Sequence, residues 1–126
     1  MWTTNSCLLT LFSDPRQLWK IDAGNKLLNK AGIFEWKSED KWSLNKINPL
    51  IEDHEFKLGK LNSAEVLGAS DDDTVSEQAF VEGQENQVWI QKIPKNEKDN
   101  FFTLRNKGVQ KLLTPESTEK LEVRGN

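Results

Sequence analysis

With 126 residues, 14.5 kDa, 36% apolar and 29% charged side chains, the chain has the size of one ordinary domain, residues 1–126, able to bury a core without staples. Seventeen Lys+Arg against 20 Asp+Glu leave a net charge of −3 and a pI near 5.2, which argues against a protein that tracks phosphates with a basic face. One cysteine, Cys7, gives no disulfide framework, and with a single histidine there is little from which to build a catalytic triad or a zinc site.

No stretch approaches the roughly 18 apolar residues that span a bilayer. The opening Met1 to Ser6 lacks the basic start and apolar run of a signal peptide. The expectation is a soluble protein, cytoplasmic or released by a non-classical route, with no cofactor and no membrane insertion. Cys7 reads as a small core hydrophobe.

In chain order the apolar residues come as short alternating bursts, the period of strands. Leu9/Leu11 come first and Gln17-Leu18-Trp19-Lys20-Ile21 follows the turn Ser13-Asp14-Pro15. Ala23-Gly24-Asn25 is the next turn, before Leu27-Leu28-Asn29-Lys30-Ala31-Gly32. Ile33 to Trp36 reads as a strand with Phe34 and Trp36 on one face. Ser43 to Glu55, with Asn48-Pro49, is the weakest strand region and accommodates a short helical turn. Phe56/Leu58, Val66-Leu67 and Phe80 follow, with a turn at Ser70-Asp71-Asp72-Asp73. Val88/Ile90, Phe102/Leu104, Leu112-Leu113 and Leu121/Val123 complete the series, with turns at Asn106-Lys107-Gly108 and Thr114-Pro115-Glu116. No window of 12 or more residues carries a clean helical apolar stripe.

These pieces repeat. Gln17-Leu18-Trp19 matches Gln87-Val88-Trp89, and Asp40-Lys41-Trp42 is a looser echo. Leu27-Leu28-Asn29-Lys30 matches Leu104-Arg105-Asn106-Lys107. Three units averaging 42 residues would fill the chain, and repeats of that length fix an architecture. The spacing is uneven: Trp19 and Trp42 are 23 residues apart, Trp42 and Trp89 are 47 apart. Trp42 is therefore expected on the third strand of a unit that has lost its motif. The segment from Leu8 to Ile21 is expected to supply the strand missing after Val123, in a permuted order.

Gln-x-Trp closing a unit of this length resembles the signature of the ricin-type (R-type) lectins. The stretch Gly83-Gln84-Glu85-Asn86-Gln87-Val88-Trp89 is similar to that family's Gly-x-x-Asn-Gln-x-Trp, within a likeness running from Phe56 to Val123. The resemblance implies an all-β fold, a β-trefoil of three degenerate repeats with about twelve short strands. It implies a non-catalytic protein that binds galactose-containing glycans of glycoproteins or glycolipids through shallow surface sites. The rival function is a sugar-silent trefoil serving protein interaction. An enzyme is disfavoured: the chain has no Gly-rich phosphate loop, no Cys-x-x-Cys and no Gly-x-Ser-x-Gly.

Gln17, Trp19, Gln87 and Trp89 are expected to be structural, because each unit must give a large rigid side chain to a shared core and the indole N–H then needs a partner. In the family, an Asp after the second strand, a stacking aromatic and the Asn before Gln-x-Trp hold the sugar. Carried onto this chain, Asn86 is in place and Phe80 lies near the aromatic position. The family's Asp falls at Gly68, at Thr114 in the last unit, and near Trp36-Lys37 in the first. The candidate sugar contacts are therefore Asn86, Asp72, Asp73 and Phe80, then Trp36 and Asp40, with His54 as an outlier. Asp71-Asp72-Asp73 reads more readily as a solvated turn than as a sugar or calcium ligand set, and it lacks the alternating spacing of a calcium loop. Trp36 serves either the core or a stacking platform. Asn86 is expected on a strand, pointing outward when Gln87 points inward. Weak monovalent binding is recovered by presenting several sites, so a homodimer is a possible assembly, with Trp2 and Cys7-Leu8-Leu9 offering either an apolar contact or further core.

Overall fold

The computed structural model describes residues 14–34, 41–47, 54–95, 97–117 and 120–125. Ten short strands, paired antiparallel, make up the regular structure of these residues: β1 (Trp19–Ile21), β2 (Leu27–Asn29), β3 (Trp42–Lys46), β4 (Glu55–Lys60), β5 (Glu65–Ala69), β6 (Val75–Ala79), β7 (Trp89–Lys92), β8 (Thr103–Asn106), β9 (Leu112–Pro115) and β10 (Leu121–Arg124). The only helical pieces among them are two 3-10 turns, Pro15–Gln17 and Glu85–Gln87. The all-β expectation therefore holds.

Local chemistry explains the punctuation. Asp14 caps the first 3-10 turn by accepting from the Arg16 amide at 2.9 Å, and Pro15 brings its fixed φ to the first position. Between β1 and β2 the Asp22 carboxylate accepts from the amides of Gly24 and Lys26, an Asx turn, and Asn25 takes φ 62°. Asn62, Asp73 and Asn100 also adopt positive φ, as these short polar side chains tolerate. The Thr114-Pro115 pair is not a turn: Pro115 ends β9 opposite Leu121, and the reversal falls at Glu116, whose amide donates to the Lys120 carbonyl. Nor is Ser43 to Lys46 helical; it continues β3.

Three hairpins share one design. β1 pairs with β2, β3 with β4, and β7 with β8, in registers that set Trp19 opposite Asn29, Trp42 opposite Lys60, and Trp89 opposite Asn106. Each opens on a fully buried tryptophan. Trp42 thus heads its hairpin at the start of β3, as Trp19 and Trp89 head theirs. Two further hairpins, β5–β6 and β9–β10, join this frame through single residue pairs, Gly59 opposite Val66 and Arg105 opposite Leu112.

The hairpins connect to one another. β4 pairs with β7 through Phe56 and Trp89, and Trp19 bridges Phe102 just before β8. The Trp42 amide donates to the Asn25 carbonyl at 2.8 Å. The β5–β6 turn reaches β10, where the Val123 amide donates to the Asp73 carbonyl. The three tryptophans meet Leu27, Leu58, Leu67, Leu104, Leu113 and Val123 in one core, and Phe34 packs edge-on against Trp19.

Candidate functional site

Both Gln-x-Trp motifs are built alike. The glutamine ends a 3-10 turn, one residue intervenes, and the tryptophan opens a strand. The Trp89 indole N–H donates to the Leu67 carbonyl in β5 at 2.9 Å, and that of Trp19 donates to the Leu113 carbonyl in β9 at 2.9 Å. A buried indole needs such an acceptor, and in both cases a neighbouring hairpin supplies it. Gln87 pins the far end of its hairpin: Nε2 donates to the Ala79 carbonyl and to Gln78 Oε1, while Oε1 accepts from the Val81 amide at 2.8 Å. Gln17 Nε2 donates to Thr114 Oγ1 and to the Gly125 carbonyl, both at 3.3 Å. Segment Pro15–Ile21 therefore completes the β8–β10 part of the chain as Glu85–Lys92 completes the β4–β6 part.

This match aligns Leu67 with Leu113, and hence Gly68 with Thr114, the two positions where the family's Asp falls. Neither is acidic. Thr114 is 1% exposed, and its hydroxyl is engaged by Gln17 and by the Leu112 carbonyl. Gly68 is covered by the Gln78 carboxamide, whose Oε1 lies 2.3 Å from where a Cβ would stand. Glycine inside a strand marks a close approach, and here a side chain makes it.

The candidate residues of the middle part separate into two groups. Asn86 lies in the 3-10 turn rather than on a strand, half-buried. Its Nδ2 donates to the Ala69 carbonyl at 2.9 Å and, at 3.4 Å, to Gln78 Oε1; its carbonyl accepts from Asn106 Nδ2 at 2.7 Å. The outward amide expected from strand alternation is therefore turned onto the hairpin. Asp72 and Asp73 form the β5–β6 turn. Asp72 accepts from the Thr74 hydroxyl (2.7 Å) and amide, and these bonds, the hydroxyl first, hold its carboxyl below the usual range. Asp73 pairs with Lys111 Nζ at 2.8 Å. Phe80 stands at the other end of β6, a five-residue strand about 17 Å long at about 3.3 Å per residue. It is 37% exposed, with Lys57 Nζ 4.3 Å from its ring centroid. The structure thus does not gather Asp72, Asp73 and Phe80 into one site.

His54 is exposed beside β4, and its carbonyl accepts from the Gln91 amide. Trp36 and Asp40 lie outside the described residues, as do Trp2 and Cys7. Among the described residues no group of three His, Cys, Asp or Glu is placed to hold a metal, and no helix is long and apolar enough to cross a membrane.

A second polar cluster escaped the sequence reading. Glu97, in the loop after β7, receives Lys30 Nζ at 2.6 Å and the Asp99 amide at 2.8 Å, and Lys20 and Lys30 both stand over the Phe101 ring at about 5.5 Å. The Lys30 bond holds the Glu97 carboxyl below its ordinary range. On the opposite pairing, Lys107 is pushed up by its bond to Glu55 at 3.0 Å. The first ties two loops together and the second ties the β8–β9 turn to β4. Spacing in the sequence carries no sign of either, because the partners are 67 and 52 residues apart.

Comparison with protein-family models, with curated proteins and with solved structures gives no match.

Proposed function

We propose that the chain is a β-trefoil of the R-type lectin kind, a non-catalytic domain that binds galactose-containing glycans. The observation that carries this reading is the identical use of two motifs: Gln17 and Gln87 each tie down a hairpin while Trp19 and Trp89 each donate to that hairpin's inner strand. The pairings support a closed barrel of six strands, since β1–β2, Asn25–Trp42, β3–β4, β4–β7, β7–β8 and Phe102–Trp19 link in series. Among the described residues β5–β6 and β9–β10 serve as outer hairpins, and the 23-residue Trp19 to Trp42 interval fits a shortened first unit.

Sugar binding falls to that first unit. A pyranose presents a C–H face and a ring of hydroxyls, so a flat ring and a carboxylate together read both, and Trp36 and Asp40, four residues apart in the sequence, have the chemistry for that pair. The test is a galactoside array probed with the parent and with Trp36→Ala. Binding by the parent that falls at least about tenfold in the variant is expected. Assembly into a homodimer would raise the avidity of a single shallow site per chain; sedimentation showing only monomer at high micromolar concentration rejects that part.

A second reading is a sugar-silent trefoil that engages other proteins. It is favoured by the occupied Gly68 and Thr114 positions and by the Asn86 amide bonded to Ala69. A blank array from demonstrably folded protein selects it.

A further inference from the structure

We infer that lysine–carboxylate latches close two of the three seams between the tryptophan hairpins, and that the molecule opens at the third, between β1–β2 and β3–β4.

The hairpins share a station just past their second strand. There the amides of Lys30, Leu61 and Lys107 donate to the carbonyls of Leu18, Lys41 and Val88 at 2.9, 2.8 and 2.8 Å. Each acceptor immediately precedes the hairpin's tryptophan, so the three donors occupy one position repeated three times. A facing position repeats as well. Asn25, Phe56 and Phe102 meet Trp42, Trp89 and Trp19 of the next hairpin, which equates the residues just before them, Gly24, Glu55 and Phe101. Lys107 thus faces Glu55, Lys30 faces Phe101, and Leu61 faces Gly24.

Charge fills the first two pairs. Lys107 Nζ lies 3.0 Å from Glu55 and 3.8 Å from Glu85. Lys30 Nζ lies 5.5 Å from the Phe101 ring centroid and 2.6 Å from Glu97, which the Asp99 and Phe101 amides also hold. The Glu55 and Glu97 side chains are only 10% and 3% exposed. Parting either seam therefore strips a nearly buried carboxylate of its lysine, which costs far more than parting an exposed ion pair.

The third pair has no charge to offer. Leu61 is 38% exposed, and Gly24 is exposed too. Among the described residues a Cβ at Gly24 would meet only the Asp22 carboxylate, at 3.5 Å, so Leu61 does not cover it. Opening here breaks backbone contact, such as the Trp42 amide on the Asn25 carbonyl at 2.8 Å, and leaves both latches intact. Local opening follows the least costly route, which is this seam.

The experiment is native-state hydrogen exchange of the full chain, followed by NMR on the backbone amides of Trp42 and Trp19. Both residues are fully buried, and their amides span the unlatched seam and the Lys30 seam, on the carbonyls of Asn25 and Phe102. After correction for intrinsic rates, the Trp42 amide should exchange about fivefold faster or more. Leu61→Lys with Gly24→Glu supplies the missing pair and should slow Trp42 by a similar factor with Trp19 unchanged. Lys30→Met keeps the stem and removes the charge, and should bring the Trp19 amide up to the rate of Trp42; this arm does not depend on the double variant folding. Equal rates in the parent overturn the inference. So does Lys30→Met without effect on Trp19, or a folded double variant without effect on Trp42.

Discussion

The two motif glutamines are chemically identical yet unequally engaged, and this predicts unequal effects of Gln→Leu, which keeps the volume and removes the amide. Gln87 is 1% exposed and makes bonds of 2.8, 2.9 and 3.0 Å, two of them to backbone groups. Losing a satisfied buried partner costs about 1–3 kcal/mol. Ala79 and Val81 are exposed enough for water to relieve part of this, so Gln87→Leu should cost about 2–3 kcal/mol. Gln17 makes two bonds of 3.3 Å. The Thr114 hydroxyl keeps its bond to Leu112, and Gly125 is exposed, so Gln17→Leu should cost only about 0.5–1 kcal/mol. Urea unfolding followed by tryptophan fluorescence measures the difference, provided that the slope is unchanged. Equal destabilisation, or a larger loss from Gln17→Leu, would refute the reasoning that bond length and partner burial set the cost.

Other substitutions separate core from surface. Trp89→Ala removes a fully buried indole and orphans the Leu67 carbonyl, so a loss of about 3–5 kcal/mol, enough to unfold much of the population, should appear in thermal melts. Asn86→Ala frees the Ala69 carbonyl and should cost about 1 kcal/mol in chemical denaturation. For Glu97, whose folded pKa is depressed, the stabilisation is complete above its unfolded value near 4.5 and fades as pH falls through the folded value. Glu97→Gln should therefore narrow the gap between urea midpoints at pH 7 and pH 3; an unchanged gap would remove Glu97 from the acid response.

The frame was legible because its signals are large side chains and short-range chemistry. Tryptophans preceded by glutamine announce where a strand enters the core, and Asx turns such as Asp22 to Asn25 announce where it reverses. Of the segment from Leu8 to Ile21, the described part from Asp14 onward places Trp19 against β9, where the Leu113 carbonyl accepts its indole N–H. The site was less legible. Strand alternation placed Asn86 outward, but a 3-10 turn does not alternate, and its amide found the Ala69 carbonyl. Asp72 and Phe80 are close in sequence, yet β6 between them is extended and carries them apart. The Thr114-Pro115 pair looked like a turn, while a proline at a strand's end keeps its place because it has no N–H to offer there.

A motif therefore fixes more about the chain around it than about what the chain holds. The tryptophan must find a carbonyl and the glutamine must tie a hairpin, and those demands are met twice in the same way. The residue following the tryptophan's acceptor is under no such demand. At position 114 a threonine hydroxyl satisfies the local glutamine and the space is closed for good. At position 68 the absence of a side chain leaves the space to Gln78, whose Oε1 accepts from Gln87 and Asn86 there. One atom group, present as Cβ or missing, thus decides whether the position is filled by its own side chain or by a neighbour's. Three bonds hold Gln78 in place, two of them longer than 3.2 Å, so this position is closed by a neighbour's side chain where position 114 is closed by its own.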